Sequence, residues 1–347
     1  MTNNTVNIAK KLNLGIIAEL GHIIEEKPRP HVVLCKDNLG NKVVLKTANF
    51  KDEVAIYNTL RKFLRTGNYK VLAIPEIYKF GKEYLEMEYI EGIVPAKDLG
   101  NHDTLSLPYI KQIVKAFWEL DALLAQAKGE LEKQKLIGSN IKKDQIATVS
   151  NWFKNSATRW QKEAKKEFGG QIISIKKINN LAKVISTVFG KAKLKKALSP
   201  TYGVFAHHHM VIKGSKVFLF DFGGHLRYRP KFYDIVFLMQ PQILHGPLPF
   251  SFKDACFREE LIKYIKEFKK VSFQMAPLGV RKQYSWRDFS LLFNACLLER
   301  TIGWARDVYA LTRQGNQQYK NPAYSQEINK RIHILRDYAS KQIVAVN

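Results

Sequence analysis

Short apolar runs separated by turn signals dominate the first 92 residues. "LGIIAELGHII" (14–24) and "HVVLCKD" (31–37) are rich in aliphatic and β-branched residues, with "EEKPRP" between them, and "NLGN" forms a tight-turn signal ahead of "KVVLK" (42–46). The pattern predicts three short antiparallel strands. The period then changes: in "FKDEVAIYNTLRKFL" (50–64), Val54, Tyr57, Leu60 and Leu64 recur at helical spacing behind an acidic first turn. "IPEIYKF" (74–80) and "EYLEMEYIEG" (83–92) return to strand-like runs around Gly81-Lys82. The predicted order is strand, strand, strand, helix, strand, strand.

Beyond Gly92 the pattern is helical. "LPYIKQIVKAFWELDALLAQA" (107–127) opens near Pro108 and keeps an apolar stripe through Ile110, Ile113, Phe117, Leu120 and Leu124. Residues 131–195 are mostly helical in pattern, with breaks at Gly138 and Gly169-Gly170. Two β runs interrupt, "HHMVI" (208–212) and "KVFLFDF" (216–222), joined by Lys213-Gly214-Ser215 as a hairpin turn. Helical patterns resume after Pro230, notably over 288–313 and 325–343. There is no internal repeat and no low-complexity linker.

Composition narrows the class. At 347 residues and 46% hydrophobic, the chain can hold two modest domains or lobes and bury a core. Lys and Arg number 56 against 31 Asp and Glu, a net charge of +25 that attracts phosphates, nucleic acid or an anionic membrane face and repels cations. Much of the excess lies in runs such as Lys142-Lys143, Lys165-Lys166 and Lys176-Lys177, spaced by apolar residues as on exposed helix faces. Cys35, Cys256 and Cys296 are few, far apart and odd in number, which argues against a disulfide framework and fits a reducing cytoplasm. The N-terminal stretch lacks a basic start followed by a long apolar segment, and no run approaches the ~18 apolar residues of a membrane span.

The order of elements, a small five-strand lobe with one helix and then a helical lobe interrupted by a hairpin, resembles the protein-kinase-like fold. The closer match is its small-molecule branch, the aminoglycoside phosphotransferase and choline kinase type. The resemblance implies an α+β, two-lobed molecule: an N-lobe over 1–92 with a five-stranded antiparallel sheet, and a mainly helical C-lobe over 93–347 carrying a catalytic hairpin at 201–224. It further implies ATP or GTP and Mg²⁺ or Mn²⁺ between the lobes, because phosphoryl transfer needs a cation on the phosphates, carboxylates on the metal and an oriented hydroxyl.

Carried over residue by residue, the resemblance assigns Lys46, at the end of "VVLK", to the α/β-phosphates and Glu53 to holding it extended. "LEMEYIEG" (85–92) resembles the hinge, so Met87, Glu88, Tyr89 and Ile90 would line the adenine site, with exposed backbone groups at Glu88 and Ile90. No glycine-rich phosphate loop stands between the first two strands. "EEKPRP" is there instead, its prolines removing donors, with Lys27 and Arg29 as substitute charge.

The family's catalytic segment reads His-Gly-Asp-Leu-His-Pro-Gly-Asn, then a hairpin and a metal-binding Asp. Setting Asp221 of "DFGG" on that Asp places "YGVFAHHH" (202–209) on the loop. Tyr202 then stands for the first His, Gly203 for the Gly, Val204 for the catalytic Asp and His209 for the metal-binding Asn. An isopropyl group neither accepts a proton nor orients a hydroxyl. His209 and Asp221 are the expected metal ligands, the imidazole favouring Mn²⁺ or Zn²⁺ over Mg²⁺. Adjacent His207 and His208 point different ways on an extended loop and do not make a zinc site with it. Asp234, after the basic segment "LRYRPKFYDIVFL", would steady the loop, as in lipopolysaccharide-core sugar kinases, which this stretch and His209 also resemble. Arg300 and Arg306 have the length to reach the cleft, and Trp304, Tyr309 and Leu311 are expected in the core.

The leading expectation is ATP-dependent phosphorylation of a small-molecule hydroxyl, with the positive charge favouring an anionic or sugar-like acceptor over an aminoglycoside or choline. A second expectation is a pseudokinase, a nucleotide-binding or scaffold module that lost its base at Val204. A third is a basic nucleic-acid-binding protein, ranked last because no nucleic-acid motif is present. Peripheral contact with an anionic membrane is compatible with the charge, and oligomeric state is not encoded in any pattern read here.

Overall fold

The structure, a computed structural model, describes residues 3–20, 31–48, 50–94, 107–138, 148–168, 170–203, 205–206, 209–222, 226–245, 257–313 and 322–345. In chain order the first elements are α1 (Asn3–Lys11), β1 (Gly15–Glu19), β2 (His31–Lys36), β3 (Lys42–Thr47), α2 (Lys51–Thr66), β4 (Leu72–Ala73), β5 (Ile77–Phe80) and β6 (Tyr84–Glu88). Five of the strands form one antiparallel sheet in the order β1-β2-β3-β6-β5. Its register sets Val32 opposite Lys46 and Lys46 opposite Leu85.

Strand alternation sorts the two faces of this sheet. Val33, Cys35, Val43 and Leu45 lie on one face and pack with Ala9 and Leu14 into a small core of their own. Lys46, Leu85 and Met87 fall on the other, toward α2 and the main core. Helix α1 covers the first face, and its Thr5 hydroxyl lies 2.9 Å from that of Thr47. The sequence pattern predicted one helix here, and α1 is a second. Its polar "NNTVNIAKK" buries only Thr5 and Ala9, too few residues to make a helical stripe.

The remaining elements are α3 (Leu107–Lys133), α4 (Val149–Phe168), α5 (Ile175–Lys196), β7 (Leu198–Thr201), β8 (Met210–Lys213), β9 (Lys216–Leu219), β10 (Arg227–Pro230), α6 (Tyr233–His245), α7 (Phe257–Gln274), α8 (Leu278–Gln283), α9 (Trp286–Arg313) and α10 (Pro322–Val344). The hairpin β8–β9 turns at Gly214, whose φ of 57° is the left-handed conformation such a turn asks for. Strand β4 adds to it in parallel, pairing Leu72 with Val217 and Ala73 with Phe218, so the segment after α2 is tied to this hairpin. Strands β7 and β10, which the pattern did not predict, form an antiparallel ribbon that sets Arg227 opposite Thr201. Each is four residues long and carries a proline, which hides a strand from sequence reading.

One core runs from Tyr57 and Leu60 of α2 through α3 and the hairpin to Phe293 and Leu335 of α9 and α10. Among the described residues no helix is long and apolar enough to cross a membrane. Cys35 and Cys296 are free and buried, and Cys256 lies outside the described residues.

Candidate active site

Lys46 closes β3 and Glu53 sits in the first turn of α2, seven residues on, so the strand-to-helix connection aims both side chains at one point. The Lys46 ammonium donates to Glu53 Oε1 at 2.7 Å and to Asp221 Oδ1 at 3.4 Å. Lys46 is 6% exposed and Glu53 4%, while the Asp221 side chain keeps 33% of its surface open. The Phe50 ring lies 5.3 Å from the ammonium. Burial raises the Glu53 carboxyl above its ordinary value, and the neighbouring ammonium works against that rise.

Asp221 follows β9 with φ at 70°, a left-handed conformation that few side chains adopt. Packing holds it there. Its N–H donates to the Tyr57 hydroxyl at 3.1 Å, and the Tyr57 ring meets Phe222 edge-on at 5.1 Å. The Tyr202 ring packs on the same phenylalanine, and its hydroxyl donates to the Phe220 carbonyl. A strained residue gripped on both sides is one whose side chain is aimed.

His209 is fixed by its backbone: its N–H donates to the Ala206 carbonyl at 2.9 Å, and its own carbonyl accepts from Phe220 N–H at 3.2 Å. Its Nε2 then stands 3.5 Å from Asp221 Oδ2. The two oxygens of one carboxylate thus face an ammonium on one side and an imidazole on the other.

The loop before His209 is anchored by Asp234, in the first turn of α6. This buried carboxylate accepts the N–H groups of Tyr202 at 2.8 Å and Gly203 at 2.6 Å. Burial pushes its pKa up to about 6, against Arg229 and the two amides, which lower it. Gly203 has φ at 86°, and a Cβ there would fall 1.9 Å from Arg229 Nη1. Val204, His207, His208, His22, His225, Lys27, Arg29 and the "EEKPRP" segment lie outside the described residues.

In the segment expected to be the hinge, Met87 is buried on the face of the sheet that meets the main core. The Glu88 N–H, expected to be exposed, donates instead to the Glu76 carbonyl at 2.7 Å, because β5 approaches β6 there. Among the described residues the Ile90 N–H has no hydrogen-bond partner, which leaves a donor for a ligand edge. Tyr89 lies under the Lys42 ammonium at 5.4 Å. Next, Ile93 exchanges both backbone hydrogen bonds with Ile212 of β8, each at 2.8 Å. A Cβ on Gly92 would come 2.4 Å from the Ile212 carbonyl oxygen, so close backbone approach accounts for glycine at this position.

The structure brings Lys46, Glu53, Asp221 and His209 together and sets Arg300 and Arg306 elsewhere. Arg300 is buried against the Phe237 ring and donates to the Tyr233 hydroxyl at 3.3 Å; Arg306 pairs with Glu163 and Asp307. Trp304 packs against the core, and the side chains of Tyr309 and Leu311 lie outside the description. Tyr57 and the aiming role of Tyr202 were not legible in sequence, since an aromatic at core spacing looks the same whether or not its hydroxyl is used.

Among the described residues no group of three His, Cys, Asp or Glu converges on one point. Asp221 and His209 supply two donors. That suits a divalent cation that takes its other positions from phosphate oxygens and water.

No protein-family model matches the sequence, and no curated protein is similar to it at a significant level. Solved structures do match over nearly the full length. A macrolide 2'-phosphotransferase from Brachybacterium faecium is 13% identical with a TM-score of 0.52, the match covering 94% of this chain and 97% of that one. An aminoglycoside phosphotransferase from Alicyclobacillus acidocaldarius is 11% identical with a TM-score of 0.51, over 100% of this chain and 96% of that one. An ethanolamine kinase of Plasmodium vivax is 14% identical with a TM-score of 0.51, over 96% and 84%. The chain shares the fold of these phosphotransferases and kinases.

Proposed function

We propose that the protein is an ATP-dependent phosphotransferase acting on a hydroxyl of a small molecule, with the nucleotide held between an N-lobe (1–92) and a C-lobe (93–347). One observation carries the reading: Asp221 presents one carboxylate oxygen to the buried Lys46–Glu53 pair and the other to His209. Lys46 would bind the α- and β-phosphates and Glu53 would hold it extended. The hinge from Met87 to Ile90 would take the adenine, with the Ile90 N–H as donor. Asp221 and His209 would hold Mg²⁺ or Mn²⁺, which when bound neutralises charge on the phosphates. ATP is the favoured donor, with GTP as the other, and the compartment is the cytoplasm. The +25 charge favours an anionic or sugar-like acceptor, in contrast to the ethanolamine of the Plasmodium kinase.

Val204 supports a second reading, a nucleotide-binding pseudokinase, because no carboxylate stands where the family keeps its base. Phosphoryl transfer relies mainly on positioning and charge, so losing a base slows it without forbidding it. Single-turnover transfer from labelled ATP with Mn²⁺ or Mg²⁺ separates the two. The phosphotransferase reading expects transfer to an added polyol or sugar acceptor that falls at least a hundredfold in Asp221→Asn. Tight AMP-PNP binding with no transfer establishes the pseudokinase. Transfer that persists unchanged in Asp221→Asn rejects the assigned site.

A further inference from the structure

Residues 149–196 carry twelve Lys and Arg against two Glu and no Asp, so about two-fifths of the +25 net charge sits in the stretch that folds as α4 and α5. The placement is periodic. On α4, Asn151, Lys154, Asn155, Lys162, Lys165 and Lys166 are exposed, with half-buried Thr158 between them, at the spacing of one side of a helix. The other side, through Phe153, Ala157 and Ala164, is buried. On α5, exposed Lys176, Asn180, Lys183 and Thr187 repeat the arrangement over buried Ile178, Leu181 and Ile185. The two helices pack side by side, and Gln161 fastens the turn between them, its Oε1 accepting the N–H groups of Ile172 and Ile173 at 3.0 and 2.9 Å. Lys165 stands one turn after Gln161, so the basic stripe of α4 runs beside that seam.

The acids at the border of this face are engaged. Glu163 lies 4.0 Å from Arg159 and 3.6 Å from Arg306. Asp337 of α10 is bound by Arg336 at 2.8 Å, and its carboxyl is held low by that bond first, with Lys177 adding to the effect. Arg159 and Lys177 are therefore not counted in the face, and the side chain of Glu167 lies outside the description. Among the described residues, Lys154, Lys162, Lys165, Lys166, Lys176 and Lys183 make no ion pair. Six exposed ammonium groups on adjoining helices attract a polyanion. What accompanies them selects which one. Ile175, the first residue of α5, is the only exposed large apolar side chain on these helices among the described residues. The face thus has no apolar row to enter the acyl boundary of a membrane and no ring on which unpaired bases stack. It does interleave amides and hydroxyls with the lysines, the groups that hydrogen-bond backbone phosphates of a duplex. From Lys154 to Lys166 the stripe spans roughly 18 Å, a length over which a duplex presents about ten phosphates.

We propose that the adjoining outer faces of α4 and α5 form a docking surface for double-stranded nucleic acid, held through its phosphates without regard to base sequence. Lys154, Lys162, Lys165 and Lys166 line one helix and Lys176 and Lys183 the other, with Asn151, Asn155, Thr158, Asn180 and Thr187 as neutral partners for the same phosphates. The surface does not rest on the phosphotransferase reading, since none of these residues belongs to the site at Asp221.

Fluorescence anisotropy on the full chain, with labelled DNA and RNA duplexes of mixed sequence and a series of KCl concentrations, tests this. The expected result is micromolar or tighter binding at low salt, alike for unrelated sequences, that weakens linearly on a log–log plot. Lys162→Gln, Lys165→Gln and Lys166→Gln together should weaken binding at least tenfold and reduce the salt slope by about three, one for each lost phosphate contact. Lys176→Gln with Lys183→Gln should reduce it by about two, and both sets should leave circular dichroism and AMP-PNP affinity as in wild type. A control removes equal charge elsewhere: Lys263→Gln with Lys270→Gln, exposed on α7, should change duplex binding less than twofold. Absence of duplex binding at low salt, or equal weakening by the control pair, overturns the surface. So does tighter binding of a single strand than of the duplex, or binding to phosphatidylserine vesicles without binding to either duplex.

Discussion

A carboxylate buried among backbone amides carries a pH signature, and Asp234 is the clearest case at the residue scale. Burial raises its pKa from 3.8 to about 6, so between those values the native state keeps a proton that the unfolded chain has released. The sign follows: this group's contribution is fully present below the unfolded pKa and is lost as pH rises through about 6. At ~1.36 kcal/mol per unit the swing is roughly 3 kcal/mol. Urea unfolding of wild type and Asp234→Asn at several pH values should show their stability difference changing by that amount across the interval, wild type losing ground as pH rises. A constant difference would mean that Asp234 titrates normally. Residue chemistry of this kind was partly legible beforehand. The positions of Lys46, Glu53 and Asp221 could be anticipated because strand ends and helix starts are marked in sequence, and the structure brings the three together. The bond from Asp221 N–H to Tyr57, and the loss of Glu88 N–H to Glu76, arise from contacts between distant segments that no local pattern encodes.

At the scale of elements, long periodic segments were readable and short ones were not. The sheet strands β2, β3, β5 and β6 and helices α2, α3 and α9 announce themselves by alternation or by an apolar stripe. Strand β4 has two residues and therefore no period; it exists because β9 offers it a parallel edge and α3 offers a clamp. The clamp is Glu119, whose carboxylate accepts the N–H groups of Lys70, Val71 and Leu72 at 2.9, 2.8 and 2.7 Å. Hydrogen bonds to a charged acceptor contribute about 1.5–3 kcal/mol each when intact, and losing the acceptor strands buried donors. Glu119→Ala should cost about 2–4 kcal/mol in urea unfolding, with Glu119→Gln recovering part of it. Hydrogen exchange at Val71 and Leu72 should quicken in both variants, well before exchange in β2 and β3. Unchanged protection at Leu72 would show that β9 alone holds β4 in place.

At the scale of the whole molecule, catalysis of the proposed kind requires the two lobes to share one geometry, because Lys46 comes from the sheet and Asp221 from the hairpin. Three connections set that geometry: β4 on β9, Tyr57 on Asp221, and the Ile93–Ile212 pair just past the hinge. The third is the most sensitive to a single atom. Gly92 passes so close to β8 that a methyl group would stand 2.4 Å from the Ile212 carbonyl oxygen and 2.9 Å from Val211 Cγ1. A backbone oxygen inside a paired strand cannot swing aside as a side chain can, so Gly92→Ala must push the hinge exit off the hairpin. Overpacking of this sort costs about 1–3 kcal/mol, and here part of the cost is the loss of two lobe-joining hydrogen bonds. The variant should unfold at lower urea concentration, and its Ile93 and Ile212 amides should exchange faster while those of β2 and β3 keep their protection. AMP-PNP with Mn²⁺ should raise its melting temperature less than that of wild type, since a ligand stabilises only the geometry it binds. A normal nucleotide-dependent shift together with fast exchange at Ile93 would separate the two effects and place control of the cleft in β4 and Tyr57 instead.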